Sequence, residues 1–524
     1  MDTTPLLWLS ALGIYLHAIY ISFTYGLPLA IGAVLWMWRR TRDGDFLKAA
    51  KLMTAVLSAN FALGAITGTL VEFGLVQVWP GFNFAIATFA FAPLALELIA
   101  FANEVAFLIL FVVTLGRVRP AVSLSLLAVF AGFAYMSGVL IMAVNSWMQA
   151  PWGVGEVAQS LYPFMPPYGP SEIEVSKLLA LRAAALATGQ PLSLMIEKPG
   201  AAVEVGLVLR DPMVIFYSPY AVVSAAHTIL AGALIGLAVV MAGWLYRYYR
   251  SRDAKYLKIV KPMAFVFTVL FIIQAPVVAH FQGEVVAKYN PTKFALMEGA
   301  YETKYDPLKA FLAYGDPNRP IPGFDEFRKA CMTHGDKTLG DLLRAAGVNS
   351  TVRLAVEYVD LTSIKGVRLS DLCLADLEKA ASYMPIIHTA YYTKTAFAIL
   401  GGLAALALFF YFYKAPLFSK IAGLIVKILG GERRGLLALS ILTILGTVLP
   451  AVLGWYVREA GRKPWTVYGL LYPEDVVTPV PYATDPVFLT WAYAVVLAVN
   501  LGGLAGLYII ATRKDKFLKM LKKE

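Results

Sequence analysis

Long apolar runs alternate with short polar segments along almost the whole chain. Nine of them, near 6–37, 53–79, 87–115, 122–146, 219–245, 261–282, 392–413, 435–457 and 487–511, are of spanning length. A helix rising 1.5 Å per residue needs about 20 residues to cross roughly 30 Å of hydrocarbon. The pattern predicts an all-α integral membrane protein of nine transmembrane helices. The first run exceeds a signal-peptide core and no small-residue cleavage site follows it, so it reads as the first helix.

Two intervals between runs are long. Residues 283–391 hold helix-like stretches at 339–348 and 370–382 and turn signals at Asp316-Pro317 and Pro320–Gly323, which predicts a small folded cap. Residues 147–218 contain EIEVSKLLALRAAALA at 172–187, expected as an amphipathic helix on the membrane surface. The chain thus divides into 1–282 with six helices and the long loop 147–218, the loop 283–391, and 392–524 with three helices and a basic tail. No internal repeat is visible.

Composition agrees: the 524 residues are 59% hydrophobic and 15% charged, with a mean hydropathy of +0.66. The bilayer is the solvent for such a chain. A net charge of +11 comes from short clusters between runs, without aromatic-studded basic patches, so nucleic acid is not an expected partner. Arg39, Arg40 and Arg42 follow the first run, Arg117 and Arg119 the third, Arg247, Arg250 and Arg252 the fifth, Lys414, Lys420, Lys427, Arg433 and Arg434 the seventh, and Lys514 and Lys516 the ninth. All these segments fall on one side of a nine-span chain, and the positive-inside rule makes that side the cytoplasm. The N-terminus is then outside, the C-terminus cytoplasmic, and the loop 283–391 extracytoplasmic, between the sixth and seventh helices. Cys331 and Cys373 both lie in that loop; they are either two free thiols or, on an oxidising side, a disulfide.

Ionisable groups within spans are costly and are usually functional. Here they are His17, Glu72, Glu97, Glu104, His227 and His280, with Glu459 where the eighth run ends. Glu97 and Glu104 are two turns apart on one helical face. The topology places His17, Glu97 and His227 in the outer half of the bilayer and Glu104 nearer its middle, so the polar groups share a layer. A single buried His is more often a hydrogen-bonded interior residue than a ligand, and paired carboxylates often mark a proton or ion path. The residues by themselves leave an ion-coupled transporter and a haem protein both open.

Longer strings add to this. NFALGAITGTLVEF (60–73) with Trp79, PLALE (93–97), NSWMQAP (145–151), AHFQGEVVAKYNPTKFALMEGAYET (279–303) and GWYVREAGRKPW (454–465) each resemble, in order, segments of subunit I of the cytochrome bd-type quinol oxidases. The resemblance covers nearly the whole chain outside the two loop interiors. It implies oxidation of membrane quinol at the outer face and reduction of O2 to water with protons from the cytoplasm. The cofactors it implies are a low-spin haem b, a high-spin haem b and a haem d, or a further haem b in place of the last. By position, His17 and Glu459 would ligate the active-site haems, with Glu97 a further ligand or distal group and Glu104 on the proton route. His227 would ligate the low-spin haem, and Trp455 and Arg462 would pack against the haems or pair with their propionates. Lys293, Glu298, His280 and Gln282 match positions implicated in quinol oxidation.

The sequence departs from the family in two places. Phe397 stands where the low-spin haem has its methionine ligand, and Thr395 where an arginine is usual; either Met384 or His388 substitutes through a shifted helix, or that haem is five-coordinate or missing. The interval from Glu97 to Glu104 is one residue shorter than in the family. These departures carry an alternative reading, a partly degenerate paralogous subunit with a structural role or a different electron donor. Either way the resemblance implies a second multi-span subunit as partner, subunit II or a subunit I paralogue, small single-helix subunits in some cases, and a bacterial or archaeal cell membrane.

Overall fold

The computed structural model describes residues 4–172, 213–348, 351–354, 357–477 and 485–512, with isolated positions between 173 and 212. Nine helices among the described residues are long and apolar enough to cross a membrane. They are Thr4–Thr41, Gly44–Glu72, Ala92–Thr114, Pro120–Gln149, Pro219–Ser251, Lys255–Tyr289, Met384–Tyr413, Gly431–Ala460 and Pro486–Thr512, called here the first to ninth spans. Each overlaps one of the nine apolar runs; the run 53–79 continues beyond Glu72, and the run 87–115 begins before Ala92 and ends one residue after Thr114. The sixth continues past 282 to Tyr289 through a π-helical turn, Gln274–Val278, that includes Pro276. The surface helix expected at 172–187 lies largely outside the described residues.

The first span is the hub, 67% buried over its most apolar window against 17% for the ninth. It meets the fifth span backbone to backbone, because a Cβ on Gly26 would strike Gly236 and one on Gly236 would strike Ser22 and Gly26. Gly401 and Gly446 do the same for the seventh and eighth spans. Helices in lipid associate by such close packing, since lipid is as apolar as leucine.

The buried apolar residues form two cores. One, at the end of the loops 147–218 and 283–391, joins Leu6, Trp79, Trp147, Tyr220, Phe294, Leu377, Met384 and Val457. The other, at the opposite end, joins Leu27, Leu108, Leu127, Leu237, Met263, Leu408 and Leu439. Along the first, third and fifth spans, His17, Glu97, Glu104 and His227 fall between the members of the two cores. The shared polar layer read from the sequence is therefore an interval sandwiched between apolar cores.

Every basic loop reaches the second end. Lys258 pairs with Asp43 at 2.5 Å, Lys51 packs on Gly116, Arg247 donates to the Ala511 carbonyl at 2.5 Å and Arg433 reaches the Tyr249 carbonyl at 3.5 Å. At the other end, 283–391 folds as a helical cap. Its two cysteines are joined, Cys331 to Cys373, which links the helices Phe324–Met332 and Leu369–Ala381. Asp376, buried, accepts from Tyr162 at 2.6 Å and from Tyr472, so the cap is tied to both neighbouring loops. The all-helical expectation is corrected in detail: two two-stranded antiparallel ribbons, Val154–Gly155 with Tyr168–Ser171 and Thr351–Leu354 with Glu357–Asp360, lie in the loops. These loops stand outside the span segments, where a strand edge can bond to water.

Candidate functional site

His17 is held by the second span. Its Nδ1 lies 2.9 Å from Thr67 Oγ1. That hydroxyl spends its own hydrogen on the Leu63 carbonyl at 3.0 Å, so it accepts from the ring. The proton is thereby fixed on Nδ1 and the lone pair on Nε2, the state a metal-ligating histidine needs. Gly68 lies against the other edge of the ring, where a Cβ would come 3.0 Å from Cε1 and 3.4 Å from Nε2. Only glycine leaves the imidazole this place.

Glu459, the last residue but one of the eighth span, sits in a cage of donors and cations. Arg462 Nη2 reaches it at 2.5 Å, Asn145 Nδ2 at 3.0 Å and Gln149 Nε2 at 3.4 Å. Arg458, one residue before it, bonds Asn145 at 2.5 Å, Ser224 at 3.0 Å and Ser146 at 3.1 Å, and its guanidinium lies 6.0 Å from the Trp455 ring. Lys293 enters from the loop helix Pro291–Glu298, capped by the Asn290 side chain on the Lys293 N–H. Its ammonium bonds Gln149 and is only 1% exposed. Burial pushes it well below the usual lysine range, and Arg458 and Arg462 push the same way, against Glu459. Arg462 is also buried, yet its Nε and Nη1 have no hydrogen-bond partner. Two unused donors on a buried guanidinium leave it able to donate to further acceptor oxygens, such as those of a carboxylate.

His227, on the fifth span, meets the π-turn of the sixth. Gln274 Nε2 lies 3.1 Å from both His227 Nδ1 and the His227 carbonyl, while Gln274 Oε1 has no partner. Lys394 of the seventh span and Arg458 are electrostatic neighbours of this ring. Lys394 stands directly before Thr395, in the span where the sequence lacks the usual arginine.

Among the described residues the carboxylates between the cores have no cation partner. Glu97 accepts from Ser137 Oγ at 3.1 Å. Glu104 is 5% exposed, its Oε1 is unpaired, and Glu97 is its electrostatic neighbour. Glu72 is exposed on the second span.

The grouping of Lys293 with Glu298 is changed by the structure. Five residues separate them on one short helix, so they leave it in different directions. Glu298, 6% exposed, pairs with Lys309 at 2.6 Å and accepts from Tyr392 at 3.0 Å. Lys309 also donates to Tyr392 at 2.5 Å. Although burial alone would lower it, these two bonds raise the Lys309 ammonium above the usual lysine range. His388 belongs to this second group: its ring packs 4.8 Å from Tyr392, its Nδ1 bonds the Met297 carbonyl at 2.8 Å, and it covers Gly299, whose φ is +63°. No contact joins His388 to His227 among the described residues. Met384 is buried in the core at the end of the loops 147–218 and 283–391. His280 pairs with Glu284 at 3.3 Å, and Gln282 accepts from Ser224 at 2.9 Å, in reach of the Arg458 network.

His17, His227, Glu97 and Glu459 thus stand on four spans with separate partners, and no three His, Cys, Asp or Glu side chains among the described residues form a bare-ion site. Sequence reading missed Arg458, Asn145, Gln149, Gln274, Lys309, Tyr392 and Lys394. The first three lie inside the strings NSWMQAP and GWYVREAGRKPW, and Pro276 in the sixth run was the only local sign of the π-turn.

The family model described as "Cytochrome bd terminal oxidase subunit I" matches residues 7–516. A Bacillus subtilis protein named provisionally as a cytochrome bd menaquinol oxidase subunit I is 22% identical over 94% of this chain and 92% of its own. The cytochrome bd ubiquinol oxidase subunit 1 of the same organism is 21% identical over 95% and 91%, and the Escherichia coli cytochrome bd-II ubiquinol oxidase subunit 1 is 21% identical over 88% and 87%. The solved bd oxidase of Geobacillus thermodenitrificans superposes with a TM-score of 0.67 at 16% identity, covering 97% of this chain and 98% of that one.

Proposed function

Because the chain belongs to the cytochrome bd terminal oxidase subunit I family, we propose that it is the haem-bearing catalytic subunit of a bd-type oxidase, taking electrons from membrane quinol and passing them to O2. The observation that carries this reading is His17, fixed by Thr67 with its Nε2 lone pair clear beside Gly68. The unused Nε and Nη1 of Arg462 add a propionate-type partner. The donor set therefore fits haem. His17 and Glu459 would hold the active-site haems, with Glu97 close by, and His227 the low-spin haem; Trp455, Arg462 and Arg458 would line them. The bound haems, of types b and d or b alone, would supply one-electron transfer and the O2-binding iron.

The chain's own residues handle protons and charge. Quinol that loses two electrons must release two protons, and Glu298 is a carboxylate where the cap's loop helix meets the seventh span. Lys309 and Tyr392 orient it, and His388 packs behind them. Glu97 and Glu104, on one face of the third span, offer proton acceptors between the two cores. Release at the cap end with uptake from the basic end would charge the membrane without a pump. In this reading the basic end is cytoplasmic, the N-terminus and the loop 283–391 are outside, and the disulfide agrees with that side. The division into 1–282, 283–391 and 392–524 corresponds to the six-helix part, the quinol loop and the three-helix part. The cell membrane in question is a bacterial one by the relatives compared, which differ in whether their names specify menaquinol or ubiquinol. A second multi-span subunit completes the complex.

A reduced-minus-oxidised visible spectrum of the purified protein tests the reading. Haem α-bands that quinol and dithionite both develop are expected. Gly68→Ala, which moves His17, should remove the active-site contribution, and His227→Ala the low-spin band alone. A spectrum without any α-band overturns the proposal; bands that only dithionite develops would favour the paralogue with another electron donor.

A further inference from the structure

Between the seventh and eighth spans lies a helix that the apolar runs did not include, Pro416–Ile428. At 1.5 Å per residue it is about 20 Å long, too short to span. Ala422 and Val426 are its buried residues, and Gly435 lets it close on the eighth span, since a Cβ there would strike Val426 backbone atoms. Leu417, Ile421, Leu424 and Ile428 recur at steps of four, three and four, one helical stripe. They are 67%, 51%, 58% and 72% exposed. Lys420 and Lys427, seven residues apart, edge this stripe. A helix divided in this way among protein, apolar and charged sectors matches one lying in a bilayer interface.

The helix runs out at Gly430, and there the chain turns into a cleft of about 450 Å³ lined by Tyr248, Arg252, Gly430, Glu432, Arg433 and Arg434. Arg252 sits at the end of the fifth span in the left-handed conformation, φ 61°. Glu432 is bonded to the hydroxyls of Tyr248 and Tyr411. The side chains of Arg252 and Arg434 have no hydrogen-bond or ion-pair partner among the described residues. Three guanidinium groups against one engaged carboxylate leave an excess of positive charge beside an apolar stripe at the membrane boundary.

We propose that this cleft and helix bind an anionic phospholipid, its phosphate on Arg252, Arg433 and Arg434 and its acyl chains along the Leu417–Ile428 stripe. Guanidinium forks match phosphate oxygens in geometry as well as charge, and basic pockets between spans are where anionic headgroups lodge. A soluble anion would have no use for the stripe, and a purely apolar partner none for the arginines. The site is at the opposite end of the bundle from Glu298 and Lys309 and does not depend on the quinol reading.

The test uses the full chain in a neutral detergent, followed by thermal unfolding with dioleoyl phosphatidylglycerol, dioleoyl phosphatidylcholine or inorganic phosphate added. Phosphatidylglycerol at about a hundredfold excess over its Kd should raise Tm by about 3–6 °C, and the other two should not. Arg252→Gln with Arg434→Gln should abolish that shift and leave the lipid-free Tm unchanged, both groups being exposed. Leu417→Ser with Ile428→Ser, a variant on the apolar side only, should reduce it by at least half. Native mass spectrometry should find one retained phosphatidylglycerol on the wild type and none on the arginine variant. Equal shifts with phosphatidylcholine, an equal shift with phosphate alone, or a full shift retained by both variants would each overturn the proposal.

Discussion

Lys293 and Lys309 lie 16 positions apart in the segment 283–391, and the protein uses them in opposite ways. Lys293 points inward from the loop helix into a nest that already holds Arg458 and Arg462, with Glu459 the anion among them. Lys309 comes from the next helix, Pro307–Tyr314, and closes on Glu298 and Tyr392. One lysine is crowded by like charge and desolvated; the other completes an ion pair near the surface. A lysine's proximity in sequence to a carboxylate therefore says little about which carboxylate it serves.

The largest expected effect comes from removing the anion of the inner nest. Glu459→Leu leaves three cations buried together, and stripping one member from a buried charge cluster typically costs about 3–5 kcal/mol. The variant should lose most folded yield and all active-site haem signal; a stable, haem-replete Glu459→Leu protein would show that the nest needs no counter-charge. Next comes the outer pair. Lys309→Met leaves Glu298 without its cation, and kcat/KM for quinol should fall about 10- to 100-fold, equivalent to roughly 1.4–2.7 kcal/mol, with the haem spectrum unchanged. Equal losses in Lys293→Met and Lys309→Met, with equal spectra, would erase the distinction between the two sites.

The smallest effect is on stability, and it differs in sign. The folded pKa of Lys293 lies below that of an unfolded lysine. Between the two values the unfolded chain holds a proton that the folded chain has released, so stability rises with pH across that window. Lys293→Met removes this slope: its Tm advantage over the wild type should be largest at the low-pH end of that window and shrink as pH approaches the ordinary lysine range. Lys309 behaves inversely. Its raised pKa contributes stability that is complete below the unfolded lysine value and lost only as pH rises through the folded one. Lys309→Met should therefore lower Tm across the ordinary range, by about 1–3 °C because the pair is partly solvated.

The spans were legible because hydrocarbon thickness imposes a length that composition must satisfy, and each of the nine runs overlaps a described spanning helix. The layer holding His17, Glu97 and His227 was legible for the same reason, since charges in lipid cannot be placed casually. Glu459 and Arg462 were each readable as residues of one string, but their direct pairing across the end of the eighth span was not. What could not be read were partners chosen by packing across the chain: Asn145 reaches Glu459 from 314 positions away, and Gln274 reaches His227 only through a π-turn. The cysteines were undecided because spacing fixes no distance; in the structure they join the two cap helices. The helix Pro416–Ile428 escaped because it is shorter than a span and its apolar stripe has the period of an ordinary buried helix.

The backbone contact between Gly26 and Gly236 also sets a demand on synthesis. The first span is the central one, yet the helix it meets at Gly236 is the fifth, about 200 residues later. At roughly 5–20 residues per second the ribosome takes some tens of seconds to deliver it. Through that interval the first span waits in the bilayer with Ser22 and Tyr25, which pack on Gly232 and Gly236 in the finished protein, still without those neighbours. A slowed or interrupted chain should strand this helix in that state, so assembly of the central pair is a point at which membrane quality control can distinguish a finished subunit from an abandoned one.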